Sequence, residues 1–203
     1  GTEQYAKNVI NILNQWAATC TEVTSNDANH KLAAGAQGYT FANAAEIMQT
    51  YDGWTEADQT TFKTWIVKVF ASKNKDFLDN HQGSSNCALH YWSNWDLVNM
   101  CSYLSIGILT EDDDMVNYVV NYFYNGAGNG ALNNLIQGTH IDPLSNEEIC
   151  QNQESGRDQG HAQMSAAVTA NLCQIAYTFY QDNKDVSRLD FFAANNNAIM
   201  KMG

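Results

Sequence analysis

Nine consecutive residues concentrate the groups that could do chemistry: Gln153-Glu154-Ser155-Gly156-Arg157-Asp158-Gln159-Gly160-His161. They hold two acids, an arginine and a histidine, and they run straight into an apolar helical pattern. Arg157 and Arg188 are the only arginines in the chain. A guanidinium among acids and glycines at a helix entrance is costly to hold unless it pairs or binds something. If the helix starts near Gly160, its free N–H groups and dipole favour an anion beside Arg157. Arg157 would then grip a carboxylate while His161 moves a proton. The competing reading has Arg157 paired with Glu154 or Asp158, and His161 as a helix cap.

A second constellation is His90-Tyr91-Trp92-Ser93-Asn94-Trp95-Asp96. Aromatic faces stack on pyranose rings and amides bond sugar hydroxyls, so this segment suits a glycan cleft. It equally suits an aromatic core patch with Asn94 or Asp96 as an N-cap. Tyr118, Tyr122 and Tyr124 approach the glycine- and asparagine-rich stretch from Asn125 to Gly130, and a tyrosine phenol can act as acid or base. That stretch reads as tight turns, since no Gly-Lys-Ser/Thr follows to make a phosphate loop. His140 and Asp142 are two possible metal ligands, and two do not make a site. His30 and His81 read as surface residues.

Helices must position these groups. The one proline, Pro143, argues against an all-β chain, and apolar residues recur at helical spacing throughout. Tyr5, Val9, Ile12, Leu13 and Trp16 form one stripe, and Phe41, Ala44, Ala45 and Met48 another. Thr55-Glu56-Ala57-Asp58 resembles a capping box opening a helix with Phe62, Trp65, Ile66 and Val69. Further helices follow over Trp95 to Ile108, after the acids Glu111 to Asp114, and from about His161 to Tyr180. A last one starts near Ser187 and runs to the C-terminus. About seven helices are expected, with no convincing hairpin. Ala71 to Tyr91 and Asn125 to Gly160 are long and weakly periodic, as functional loops often are.

Composition bounds the function. The 203 residues suffice to bury a core, and the 44% apolar content excludes disorder. No run of about 18 apolar residues could span a membrane. The net charge of −12 speaks against nucleic acid and, less strongly, against a polyanionic substrate. Five cysteines without Cys-x-x-Cys spacing make a zinc site unexpected, and no cofactor is indicated. The 24 asparagines and few basic residues suit a secreted, periplasmic or extracellular protein, although there is no Asn-x-Ser/Thr sequon. The first residues show no basic and apolar leader. The sequence leaves the oligomeric state open.

The decapeptide Glu154 to Gln163 resembles the signature of the alginate-lyase-like family of polysaccharide lyases. Asn94-Trp95-Asp96-Leu97 and Tyr122-Phe123-Tyr124-Asn125-Gly126 resemble family segments, in the family's order. The resemblance spans nearly the whole chain, residues 1–203 read as one domain. It implies an all-α fold, an incomplete (α/α) toroid of antiparallel helical hairpins, and β-elimination on uronic-acid polymers such as alginate or glucuronan. Such toroids are usually longer, so a fragment of a larger one, or an unusually trimmed member, is expected. Better-known members carry Asn-Asn-His before their Tyr-Trp pair, where Cys87-Ala88-Leu89-His90 stands here.

On this reading Arg157 and Asn94 neutralise the uronate carboxylate. His161 is the first candidate for base and His90 the second. Tyr91, Tyr122 or Tyr124 supplies the acid. Trp92, Trp95 and Gln159 line the sugar subsites, Glu154 and Tyr124 are also placed in substrate binding, and Glu154 and Asp158 orient Arg157. Two rivals remain. A glycoside hydrolase would use Asp96 and Glu154 as its paired carboxylates. A non-catalytic glycan-binding or structural protein would keep only the aromatic cleft.

Overall fold

The computed structural model describes residues 2–81, 87–182 and 187–202. The chain is mostly helical with one small two-stranded sheet, as the all-α reading requires. In order come α1 (Thr2–Thr19), α2 (Asn29–Met48), α3 (Glu56–Ile66), a π-helical turn (Val67–Ala71), α4 (Ser72–Asn80), α5 (Ser93–Thr110), α6 (Asp113–Asn125) and the single turn α7 (Leu132–Leu135). The strands β1 (Ile136–Ile141) and β2 (Glu148–Asn152) and the long α8 (Gln159–Asp182) complete the regular elements. No helix among the described residues is long and apolar enough to cross a membrane.

Helix α5 organises the rest. It is buried around most of its circumference, and its only residues that are not fully buried are Trp95, Ile108 and Thr110. A helix apolar on all sides must be covered on all sides. Helices α2, α4, α6 and α8 pack around it. The approach of α2 is especially close: a methyl group on Gly35 would lie 2.7 Å from the Val98 side chain. Asn74, Asn99 and Ser102 satisfy one another inside this packing. Asn74 Nδ2 donates to Asn99 Oδ1 at 2.8 Å, and Ser102 Oγ donates to Asn74 Oδ1 at 2.7 Å.

The helix starts follow local chemistry. Thr55 accepts from the Asp58 amide, as its sequence suggested, and Asp112 accepts from the Met115 amide. The segment expected to be irregular from Ala71 onward carries α4 as far as Asn80, continuous with α3 through the π turn. Residues 82–86 of that segment lie outside the described ones.

Two expectations are corrected. A hairpin does exist: β1 and β2 pair antiparallel, with Thr139 opposite Cys150 and His140 opposite Ile149. Its alternation is hard to see because most of its residues are exposed, with Cys150 and Asn152 the buried exceptions. Its turn is closed by Asp142, which accepts from the amides of Leu144 and Ser145. The last helix is also not continuous. Short 3-10 turns at Ser187–Leu189, Phe191–Ala193 and Ala198–Lys201 replace it. The break falls at Asn195, Asn196 and Asn197, all with positive φ. Asparagine tolerates the left-handed region better than other non-glycine residues, so the chain breaks there.

Candidate functional site

One end of the helical bundle collects the residues of interest. Helices α5 and α8 begin there, while α4 and α6 end there. The start of α5 is capped from elsewhere in the chain. Its N-cap residue Trp92 makes no side-chain cap bond. Instead Gln153 Oε1 accepts from the Ser93 amide and Glu154 Oε1 from the Asn94 amide, each at 2.9 Å. A carboxylate at a helix N-terminus also meets the positive end of the dipole.

Glu154 is fully buried and surrounded by donors. Ser93 Oγ donates to it at 3.1 Å, Asn94 Nδ2 at 3.2 Å and Arg157 Nη1 at 3.0 Å. Ser165 Oγ, from α8, joins the network through Ser93 Oγ at 2.9 Å. This corrects two sequence-based roles. Glu154 does not line a sugar subsite, because it has no exposed surface. Asn94 is 3% exposed and directs its amide nitrogen at Glu154, not outward at a ligand.

Arg157 is held but not consumed. One N–H meets Glu154, and the guanidinium lies over the Trp92 ring with 4.8 Å to the centroid. The side chain keeps 27% of its surface exposed. A guanidinium has five N–H donors in a rigid fork, so fixing one edge orients the rest. The pairing expected of a structural arginine and the exposure expected of a binding one therefore coexist.

Asp158 serves a different partner from the one expected. Its Oδ2 lies 2.6 Å from His161 Nδ1 but 3.9 Å from Arg157 Nε. Its Oδ1 accepts from the His161 amide at 2.9 Å. So Asp158 chiefly orients His161, and the same oxygen ties that ring loosely to Arg157. The hydrogen bond from the His161 amide, followed by that from its ring, holds the Asp158 carboxyl below the ordinary carboxylate range. An ionised carboxylate only accepts, so Nδ1–H donates to Asp158 and Nε2 is the ring nitrogen left facing away from it. The ring is 38% exposed. Gln159, at the start of α8, is exposed beside them.

A pH dependence follows with a definite sign. A depressed folded-state pKa means the Asp158 contribution is complete above the ordinary aspartate value and fades as pH falls through the depressed one. Asp158→Asn should therefore remove an acid-side inflection from the His161 ring chemical shifts in an NMR titration. If the inflection persists in Asp158→Asn, Asp158 is not its source.

Behind this surface lies a second polar cluster. His81 Nε2 is 2.6 Å from Asp96 Oδ1, and the Tyr122 hydroxyl is 2.9 Å from both atoms. The Gly130 amide donates to Asp96 Oδ2 at 2.9 Å. His81 is buried, against the expectation that it is a surface residue, and Asp96 has no exposed surface. Burial, reinforced by the neighbouring Asp96 charge, pushes the Tyr122 phenol well above its usual range. Buried and bonded to Asp96 and His81, the Tyr122 hydroxyl is engaged inside the protein and not offered to a leaving oxygen. With Asp96 and Glu154 both enclosed and satisfied, neither carboxylate of the expected hydrolase pair can reach a glycosidic bond.

The aromatic segment divides between core and surface. Trp95 stacks on Phe77 at 5.7 Å and belongs to the core patch that the sequence also allowed. Tyr91 packs against Trp95 and Phe77, half-buried, and burial raises its phenol. His90 and Trp92 are exposed. Tyr124 lies under the Arg188 guanidinium and edge-on to Phe191, among C-terminal residues. Among the described residues, no hydrogen bond or ring contact joins Tyr124 to the Arg157 group. His140 bonds Gln151 across the hairpin, and Asp142 closes its turn. No group of three His, Cys, Asp or Glu suited to a metal occurs among the described residues.

Sequence reasoning missed Gln153, Ser93, Ser165 and His81 as site-supporting residues. Their partners lie up to 72 positions away along the chain, as with Ser93 and Ser165. Only Ser93 at the start of α5 and Ser165 in the second turn of α8, polar residues in apolar helices, hinted that something had to be bonded there.

The fold and this site define a helical protein with an arginine–histidine centre at one end of its bundle. The alginate lyase family model matches residues 1–195, and the chain belongs to that family. No curated protein and no solved structure matches the chain.

Proposed function

We propose that this protein is a polysaccharide lyase acting by β-elimination on a uronic-acid polymer of the alginate or glucuronan class. The family supports lyase chemistry broadly. One observation carries the finer reading: Asp158 Oδ2 stands between an oriented, partly exposed Arg157 and a histidine whose Nε2 faces away from its anchor. The reading also includes an incomplete α/α toroid, as the family implies, and action outside the cytoplasm, where long polysaccharides are found.

The chemistry needs three things. The C5 proton of a uronate is barely acidic beside a carboxylate anion, so that charge must be offset first. Arg157 does this with the donors that Glu154 leaves free. His161 Nε2 then takes the C5 proton. The C5–H electron pair forms the C4–C5 double bond, the C4–O4 bond breaks, and the departing oxygen takes a proton. Tyr91 and His90, beside Trp92, are the candidates to supply it. Trp92 and Gln159 offer sugar contacts.

The chain's acidity does not forbid this. Screening over about 8 Å at physiological salt leaves the local field in control. The test is a panel of alginate, glucuronan and glycosaminoglycans, with an ultraviolet-absorbing unsaturated uronate expected from at least one. New reducing ends without that absorbance would mean hydrolysis. Binding without any new ends would mean a glycan-binding protein. Either result removes the lyase reading.

A further inference from the structure

We infer that Asn129 is a positioning residue for the lyase site, setting the backbone that carries Trp92 and, through it, Arg157; this rests on the reading above. Asn129 lies in the stretch that the sequence marked only as tight turns. It is nearly buried, at 8% exposure. Its Nδ2 donates to two carbonyls of one segment, Leu89 O at 3.2 Å and Tyr91 O at 2.7 Å. These carbonyls bracket His90. The next residue is Trp92, whose ring supports Arg157.

Residues 87–92 form no helix or strand, so their path depends on what grips them. A side chain can set that path only if its own base is rigid, and this one is. The Gly130 amide, one residue on, is anchored to the enclosed Asp96. Gly128, one residue back, approaches so closely that a methyl group there would lie 2.5 Å from Asp96 Oδ2 and 2.6 Å from His81 Nε2. Asn134 Nδ2 holds the same loop from its other side, through Gly128 O at 2.9 Å and Ala127 O at 3.2 Å. The buried His81–Asp96–Tyr122 cluster is thus the foundation, and Asn129 passes its position to the rim.

Asn134 provides the control. It gives the loop a comparable pair of hydrogen bonds, and both stay within the loop where those of Asn129 reach Leu89 and Tyr91. Asn129→Ala and Asn134→Ala are compared in the full chain by kcat, KM, thermal midpoint and the indole N–H resonance of Trp92, assigned with Trp92→Phe. A displacement near 1 Å at a reacting centre can cost about 10²-fold, so Asn129→Ala should lower kcat by about 10- to 100-fold with KM little changed. Its thermal midpoint should fall no further than that of Asn134→Ala, and the Trp92 resonance should move in Asn129→Ala alone. Equal losses of kcat in the two variants, or an unmoved Trp92 resonance in Asn129→Ala, would overturn the inference. If the wild-type chain cleaves no polymer, the lyase reading fails by itself, and the Trp92 resonance still decides whether Asn129 positions the rim.

Discussion

Arg157→Ala should lower kcat/KM on the cleaved polymer by about 10²–10³-fold, the usual cost of losing a preorganised donor aimed at developing charge. Arg157→Lys should recover little of it. A lysine keeps the charge, but it has no planar fork to meet Glu154 on one edge and a ligand on the other, and it stacks less well on the Trp92 face. The fold should tolerate both changes. Glu154 would keep its bonds from Ser93 Oγ, Asn94 N and Asn94 Nδ2, so the loss is one charged hydrogen bond, on the order of 1.5–3 kcal/mol. Steady-state kinetics beside thermal unfolding checks this. An Arg157→Ala protein that folds and retains wild-type turnover would remove the guanidinium from the chemistry.

Glu154→Gln should act in the opposite proportion, with stability the larger casualty. Four donors converge on that carboxylate with no solvent access. An amide in its place turns an NH2 group toward donors, and it leaves Arg157 without its countercharge. Hydrogen bonds to a charged group are worth about 1.5–3 kcal/mol each, and this change disturbs all four where Arg157→Ala removes one. The start of α5 loses its capping anion in the same step. Chemical denaturation should show this loss as a lowered midpoint. A Glu154→Gln protein with wild-type stability and no activity would restore Glu154 as a reacting group and revive the hydrolase reading.

Much of the helical framework was legible in the residues themselves. The stripe from Trp95 to Ile108 became α5, and the His161 to Tyr180 pattern became α8, because a buried helix must repeat its apolar side chains at helical spacing. Thr55 marked its own helix start. The hairpin was hidden because its strands show little burial for a period-two pattern to record. The C-terminal break was hidden because three asparagines look polar before they look left-handed.

The site was legible in its composition and not in its assignments. Arg157 and His161 stood out because a charged group beside a helix start needs a partner. Which acid served which of them depended on distances of a few ångströms that spacing cannot resolve. Glu154, three residues before Arg157, and Asp158, three before His161, look alike in the sequence, yet one is enclosed and the other half-exposed. His81 appeared to be a surface residue because its partners Asp96 and Tyr122 are distant in the chain and only the fold brings them near.

The borrowed cap at the start of α5 limits how this architecture can change. The residues that finish that helix belong to the turn that presents the guanidinium, so the central helix and the reactive surface share atoms. A loop merely attached to a scaffold can be exchanged, lengthened or emptied while the scaffold persists. Here the segment after the hairpin is part of the scaffold, so emptying it of Gln153 and Glu154 would uncap the central helix.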